Sequence, residues 1–299
     1  MPRKPSKNPV VPLQTDPLAK IPWLVHGFST RLGGFSRVYG RKTLNLGFTK
    51  EDARAAVERN RVAFVHAVGA IDHGQPWPLV TLRQIHSSVI HCVSSEPSTQ
   101  LAGDGLITRT PQLLLGIQAA DCIPIILVDR KRKAIGVFHA GWRGTLSRIV
   151  EKGVGEMQRC FGTMPRDIMA AIGPGIGGCC YQVGIEVRQR FESQFAYAPD
   201  LFRETLESDP VREKYPMLFL SARAPGHTDL PKRIFLNLPE ANRRQLLSLG
   251  VAARNITVSP LCTVCRVDLL FSHRAEKAIT GRMMCVAGIR EVGAHGVHK

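Results

Sequence analysis

Three apolar runs of the sequence end on side chains that commonly bind metal ions. His86 ends "LRQIH", Cys122 ends "QAADC", and His139 lies in "VFHAGWRG". The separations of 36 residues (86 to 122) and 17 residues (122 to 139) are too long for a zinc-finger pattern. A His/Cys/His set delivered from separate strand ends nevertheless suits a catalytic zinc centre, which keeps one position open for water or substrate. A cysteine ligand also favours zinc or Cu(I) over magnesium or calcium.

Each of these residues also has an ordinary structural interpretation. A histidine at a strand end is often only a hydrogen-bonded residue, and Cys122 could be a small buried apolar group. A different chemical interpretation makes Cys122 a nucleophile and His139 its base. The residue types alone leave these alternatives open. Asp121, directly before Cys122, is a further candidate catalytic residue.

Arginines in three segments are candidates for binding an anion. Arg31 precedes two glycines in "FSTRLGGFS", Arg143 lies at the entry of a predicted helix, and Arg282 lies in "TGRMM". Guanidinium groups and backbone N–H groups bind phosphate well, although each residue could equally be a surface arginine. The net charge of +16 favours anionic partners. Scattered charges, 6% aromatic residues and the lack of a nucleic-acid motif argue against nucleic acid.

The predicted elements combine adjacent strands with a few helices. Caps, glycine stops and apolar periodicity predict helices over 49–69 (with Thr49 as N-cap), 145–161, 181–195 and 237–250. Short apolar runs predict strands, including "LLLGIQ", "IPIILV", "AIGVFHA" and "GRMMCVAGIR", and "DRKRK" (129–133) is predicted to be a hairpin tip. Because many strands are adjacent, the pattern favours an α+β layered sandwich with mixed sheets over a doubly wound sheet.

The chain is predicted to form one domain over residues 21–299, preceded by a disordered basic leader over 1–20. Residues 198–233 are polar and broken by prolines, which predicts an insertion. No apolar run approaches the roughly 18 residues of a membrane span, and no secretory signal is visible, so we expect a cytoplasmic protein. The eight cysteines are then expected to be reduced thiols, a minority of which serve chemistry, rather than a disulfide framework. The single CxxC of Cys262 and Cys265 would be two thiols in a turn, or at best half of a structural zinc site.

Taken together, the segments resemble one family. In chain order they are "HGFSTRLGGFS", "LNLGF", "LRQIHSSVI", "GDGLIT", "QAADCIPIIL", "HAGWRGTLSRIV", "AAIGPGIGGCCYQVG", "FLNLPEANRRQLLSLGV" and "SPLCTVCRVDLLFSHR". They are similar to the laccase-domain proteins of the YfiH type, once called polyphenol oxidases and now regarded as purine nucleoside phosphorylases. The resemblance implies a single α/β/β/α sandwich and one zinc ion on His86, Cys122 and His139, with copper as the alternative metal. It also implicates Arg31 and Asn45 as substrate or phosphate contacts.

The activity implied by the resemblance is phosphorolysis of adenosine, inosine or S-methyl-5′-thioadenosine, with adenosine deamination as a companion. The partners would be a purine nucleoside and phosphate, and the protein a monomer or homodimer. Arginine charge would hold the phosphate near the anomeric carbon, and Asp121 could act as an acid–base partner in deamination.

The sequence departs from the family pattern at four positions, which bear on substrate preference. Gln182 replaces a glutamate of "CYEVG", and "SHRAE" replaces "SYRRD" through His273, Ala275 and Glu276. Three rival functions are a copper-dependent phenol oxidase, an amidohydrolase that edits peptidoglycan precursors, and a nucleic-acid binder. The first is disfavoured because the ten histidines form no H-x-H pair.

Overall fold

A computed structural model describes residues 9–206, 214 and 232–291. The described residues form two compact units, one within 1–177 and 238–299 and a smaller one within 178–237. The α-helices are Asp16–Ala19 (α1), Arg54–Ala67 (α2), Trp142–Leu146 (α3), Ile149–Phe161 (α4), Ile185–Glu192 (α5) and Leu238–Ser248 (α6). Short 3₁₀ turns cover Pro165–Asp167, Ala198–Leu201 and Ala253–Asn255. Within the described residues, no helix has the length and apolar character needed to cross a membrane.

The larger unit contains two mixed sheets. Its strands are β1 (Leu24–Phe28), β2 (Leu32–Ser36), β3 (Ile71–Asp72), β4 (Gln75–Pro76), β5 (Leu79–Thr81), β6 (Ile90–Cys92), β7 (Gly105–Thr108), β8 (Leu114–Ala119), β9 (Ile123–Asp129), β10 (Ala134–Ala140), β11 (Ile168–Ile172), β15 (Ile256–Val258) and β16 (Met283–Ile289). One sheet has the order β1-β16-β8-β5 and the other β15-β11-β9-β10-β7-β6. The β5–β8, β6–β7 and β11–β15 pairs are parallel, and the other pairs are antiparallel.

The two sheets pack face to face, and a helix covers the outer face of each. The central core combines Ile126 and Val137 of one sheet with Ile117 and Ala287 of the other. On the four-stranded sheet, Phe64 of α2 packs in a second apolar cluster. On the six-stranded sheet, α4 lies against β10. The predicted α+β sandwich with α/β/β/α layers and mixed sheets is therefore confirmed.

The central strands are continuous apolar runs because both faces of each strand are covered by other parts of the protein. Every residue of β9, β10 and β16 is buried, as expected when both faces of a strand are covered. The predicted strands at these positions are confirmed. The hairpin tip predicted at 129–133 is also confirmed, because β9 ends at Asp129 and β10 begins at Ala134.

Two helix predictions need correction. The helix predicted over 49–69 begins only at Arg54, and Thr49 is not its N-cap, since the Thr49 hydroxyl lies 2.5 Å from that of Tyr39. The helix predicted over 145–161 consists of α3 and α4. The break falls at Arg148, whose φ of 60° is incompatible with a continuous right-handed helix.

The prediction of a disordered leader over 1–20 is wrong from residue 9 onward. Leu13 and Phe28 exchange two backbone hydrogen bonds of 2.8 and 2.9 Å. The short helix α1 then buries Leu18, which is only 1% exposed. These apolar contacts with β1 order a segment that its prolines and basic residues made look unstructured. Residues 1–8 lie outside the described part of the chain.

The smaller unit holds an antiparallel sheet of order β12-β14-β13, formed by Gln182–Val183 (β12), Phe202–Leu206 (β13) and Lys232–Leu236 (β14). The helix predicted over 181–195 is shorter, because its first residues form β12 and α5 begins at Ile185. Of the predicted insertion, 207–213 and 215–231 lie outside the described residues. A single domain with an insertion at 198–233 stays a prediction.

Candidate active site

The three predicted metal ligands converge at one end of the six-stranded sheet. One ligand atom from each of His86, Cys122 and His139 lies within 4.8 Å of the others. His139 stands near the end of β10, opposite Pro124 of β9. Cys122 directly precedes β9, so the antiparallel pairing of the two strands brings it beside His139. His86 comes from the loop between β5 and β6.

The buried carboxylate of Asp104 holds both histidines. Its Oδ1 lies 2.8 Å from Nδ1 of His139 and accepts the backbone N–H of His86 at 3.1 Å. Its Oδ2 accepts the backbone N–H and the hydroxyl of Ser87 at 2.6 and 2.7 Å. These bonds fix the loop at His86, whose φ of 57° is uncommon for a residue with a side chain. Asp104 is fully buried.

Sequence reasoning missed Asp104. The available signal was an acidic residue between two glycines in "GDGLIT", directly before a strand that is buried along its whole length. A carboxylate at such a position must find hydrogen-bond donors, because burying it without partners costs several kcal/mol or more.

Gly141 of "HAGWRG" provides the space in which Cys122 and His86 meet. A Cβ atom at this position would lie 3.0 Å from the Cys122 sulfur and 3.3 Å from Cδ2 of His86. Its φ of −71° is open to any residue. Space rather than backbone conformation therefore favours glycine at this position.

The charges of the site stabilise one another. Burial raises the pKa of the Cys122 thiol, but the positive charge and hydrogen bonds of His139, with those of His86, bring it down to about 6. Burial lowers the pKa of His139, but the Cys122 thiolate and the hydrogen bond to Asp104 raise it to about 9. Near neutral pH the pair is a thiolate beside an imidazolium, and the thiolate is the form that binds metals.

The residues present fit a metal ion. Donor atoms around a tetrahedral zinc lie roughly 3.3–3.8 Å apart, and the three atoms here lie within 4.8 Å. Asp104 is hydrogen-bonded to Nδ1 of His139, which leaves Nε2 to bind the metal ion, as in the carboxylate–histidine pairs of many zinc sites. Two imidazoles and a thiolate suit zinc or Cu(I). Because His86 is exposed, the side of the candidate metal site that it forms is accessible from solvent.

Asp121 binds the segment 263–276 with its carboxylate. Its Oδ1 accepts the hydroxyls of Thr263 and Ser272 at 2.6 and 2.8 Å, and Oδ2 accepts the backbone N–H of Arg274 at 2.6 Å. Its φ is 87°. Both oxygens are thus occupied, and the turn that carries Cys122 is tied to this segment.

Arg31 is held by the same segment. Its guanidinium donates to the carbonyl oxygens of Val267 and Tyr39 at 2.6 and 2.8 Å, and to Glu276 at 3.1 Å. It also lies 4.7 Å from the ring centre of Phe271. Glu276, one of the departures from the family pattern, is therefore the ion-pair partner of Arg31.

The other predicted anion contacts differ in environment. Asn45 is fully buried and accepts the backbone N–H of Arg282 at 2.8 Å. The Arg282 guanidinium donates to the carbonyl oxygen of Thr280 at 2.8 Å. Arg143 is exposed and lies over the ring of Trp142. Among the described residues, no hydrogen bond or ion pair joins these side chains or Arg31 to the His86–Cys122–His139 group.

Comparison with known proteins identifies the family. Residues 25–290 match the family described as multi-copper polyphenol oxidoreductase laccase. The chain belongs to this laccase-domain family. Its relatives include the purine nucleoside phosphorylase YlmD of Geobacillus stearothermophilus, 34% identical over 89% of this chain and 90% of that protein. Another is the adenosine deaminase RL5 of an unknown prokaryotic organism, 35% identical over 68% of this chain and 72% of that protein.

The laccase-domain fold is also found in solved structures. The crystal structure of YlmD from Geobacillus stearothermophilus matches with a TM-score of 0.75 and 32% identity, covering 96% of this chain and 98% of that one. The resemblance inferred from the sequence motifs is thereby confirmed.

Proposed function

We propose that this protein is a zinc-dependent purine nucleoside phosphorylase, acting on adenosine, inosine and S-methyl-5′-thioadenosine, with adenosine deaminase activity. The observation that carries the proposal is the convergence of His86, Cys122 and His139 around Asp104. The names of the relatives supply the reaction class, since they include both a nucleoside phosphorylase and an adenosine deaminase.

Phosphorolysis breaks the bond between C1′ of the ribose and the purine nitrogen and forms a bond between C1′ and a phosphate oxygen. The purine leaves with the bonding electrons and must gain a proton. The protein therefore has to hold a phosphate anion against C1′ and to stabilise the charge that develops on the base.

Arginines are the candidates for holding the phosphate. Arg31 keeps its guanidinium in place through two carbonyl oxygens and Glu276, so it needs little further ordering to meet an anion. Arg143 is exposed four residues after His139, and Asn45 positions the backbone of Arg282. A fixed guanidinium with free N–H groups is well suited to a phosphate oxygen pair.

A metal held by His86, Cys122 and His139 would supply a Lewis acid that polarises an oxygen or nitrogen atom of the substrate. Asp104 orients the His139 ring and the His86 backbone towards that role. Asp121, with its carboxylate bound on both oxygens, fixes the turn at Cys122 and is the acid–base candidate beside it.

The test is chromatography of adenosine incubated with the purified protein, with and without phosphate. Adenine that appears only with phosphate supports the phosphorylase, and inosine in both reactions supports the deaminase. Unchanged adenosine, inosine and S-methyl-5′-thioadenosine in all reactions of a metal-loaded protein would overturn the proposal.

One observation favours a second function, a cysteine hydrolase. Cys122, His139 and Asp104 form a chain in which a thiolate contacts an imidazolium that a buried carboxylate orients. This is the arrangement of a nucleophile, a base and an orienting group. Amide bonds such as those of peptidoglycan precursors would be its substrates.

Metal content separates the two functions. One equivalent of tightly bound zinc makes Cys122 a ligand, whereas the hydrolase requires a metal-free thiolate that an alkylating reagent inactivates. Activity on an amide substrate by the metal-free protein, together with no nucleoside turnover, would select the hydrolase.

A further inference from the structure

A cavity of about 380 Å³ lies at the end of the six-stranded sheet opposite the candidate active site. It is bordered by the β9–β10 turn, the segment between α1 and β1, and the start of β11. Cys122 directly precedes β9 and Arg130 directly follows it. Because β9 is seven residues long, the two ends lie roughly 23 Å apart at about 3.3 Å per residue. The cavity is therefore separate from the His86–Cys122–His139 group.

The polar lining of this cavity is strongly cationic. It presents four basic side chains against one carboxylate, that of Asp167, and the four are Lys20, Arg130, Lys131 and Arg166. They come from three segments that are distant in sequence. All four are exposed, and within the described residues none of them forms an ion pair. Four positive charges gathered around one carboxylate still repel one another, and a bound anion relieves that repulsion.

The floor of the cavity, which is the smaller part of its accessible lining, is apolar. Ile21 and Trp23 are buried residues of the segment before β1, and Met169 of β11 is half-buried. Asn255 stands at the margin, where its side-chain amide donates to the carbonyl oxygen of Ile168. A concave site that combines converging polar groups with some apolar surface can hold a small molecule.

We propose that this cavity binds a small organic ligand carrying two or more phosphate charges, of the nucleoside polyphosphate class. Two arginines offer planar forks that can each pair with two phosphate oxygens, and two lysines add point charges. The apolar floor accommodates the uncharged part of the ligand. An open, concave site of this volume suits a small molecule. A single-stranded nucleic acid instead requires an extended basic groove with exposed aromatic side chains.

The test is calorimetric titration of the full chain with ATP and, separately, with pyrophosphate, in magnesium-free buffer of low ionic strength. We expect one equivalent of each to bind, and ATP to bind more tightly because only ATP reaches the apolar floor. The double variant Arg130→Ala/Arg166→Ala should weaken binding of both ligands by about 100-fold, because it removes both guanidinium forks.

Two controls locate the binding. Arg190→Ala removes the charge of an exposed arginine of α5 and should leave both affinities unchanged. His86→Ala should also leave pyrophosphate binding unchanged, because the candidate active site is at the other end of β9. The Arg130→Ala/Arg166→Ala variant should keep nucleoside turnover, which separates failure of this proposal from failure of the proposed enzyme activity.

Three results would overturn the proposal. The first is no heat of binding for either ligand, and the second is equal affinity of wild type and the double variant. The third is retention of a single-stranded RNA oligonucleotide that pyrophosphate does not displace and that the double variant no longer binds. That result would assign the basic residues to a nucleic-acid surface.

Discussion

Nδ1 of His139 lies 2.8 Å from Oδ1 of Asp104, and both side chains are almost completely buried. The same carboxylate accepts backbone N–H groups of the loop that carries His86. Burial raises the pKa of Asp104, but the hydrogen bonds from His139 and Ser87 lower it to about 2. Asp104 is thus ionised across the physiological range and fixes the positions of two of the three candidate ligands.

Asp104→Asn tests this relationship. The asparagine side chain has nearly the same shape as aspartate. Its NH₂ group, however, would face N–H or O–H groups that now donate hydrogen bonds to the carboxylate. We expect metal affinity to fall about 10- to 100-fold, the usual effect of losing a partner that orients a ligand. Competition with a chromophoric chelator measures it. Asp72→Asn, at an exposed position, is the control, and an unchanged affinity of Asp104→Asn would refute the role.

Gly141→Ala tests the space between Cys122 and His86. The added Cβ would lie 3.0 Å from the sulfur, so the side chain of Cys122 or His86 must shift by a few tenths of an ångström. We expect turnover to fall about tenfold, because even a shift of this size in the candidate ligands disturbs the geometry of the reacting groups. Steady-state kinetics with saturating metal measures the loss.

Gly155→Ala in the middle of α4 is the matched control for that substitution. No atom lies within 4 Å of a Cβ at Gly155. Alanine there should raise the unfolding free energy by about 0.5–1 kcal/mol and leave turnover unchanged. Full activity of Gly141→Ala would mean that the site tolerates a side chain at this position.

His26 on β1 is predicted to make stability depend on pH. The side chain is 1% exposed, and burial lowers its pKa from 6.5 to about 4. Between these values the unfolded chain binds a proton that the folded protein excludes, so stability is complete above pH 6.5 and is lost as the pH falls towards 4. The loss should reach about 3 kcal/mol.

Denaturant unfolding of wild type and His26→Gln between pH 4 and pH 7 measures this contribution. The variant lacks the titrating group, so its stability should fall less steeply over the interval. His73→Gln, which alters a histidine whose side chain is 95% exposed, should retain the wild-type slope. If the unfolding free energy changed equally with pH in all three proteins, His26 would not titrate as described.

The sequence alone predicted the central strands and the three candidate ligands that the structure brings together. Strands buried on both faces are continuous apolar runs, and the ligands stand where those runs end. A local pattern cannot reveal contacts between distant segments, which is why Asp104 was missed and why the Arg31–Glu276 pair, separated by 245 residues, was not foreseen.

The errors at element ends have local causes. The acidic residues after Thr49 are typical of a first helical turn, but the Thr49 hydroxyl is bound to Tyr39 and the helix begins later. The proline-rich leader looked disordered, because composition does not show that Leu13 and Leu18 are ordered by contact with β1.

The most direct test of the proposed function is to incubate inosine and inorganic phosphate with wild type or Cys122→Ala, each supplied with zinc. Phosphorus NMR then follows the conversion of inorganic phosphate. Cys92→Ala is the control, because it replaces an exposed cysteine of β6. We predict a ribose 1-phosphate signal with wild type and Cys92→Ala. With Cys122→Ala we predict none, together with loss of the bound zinc equivalent and an unchanged circular dichroism spectrum. Ribose 1-phosphate formed by zinc-free Cys122→Ala at the wild-type rate would contradict the assignment of catalysis to this site.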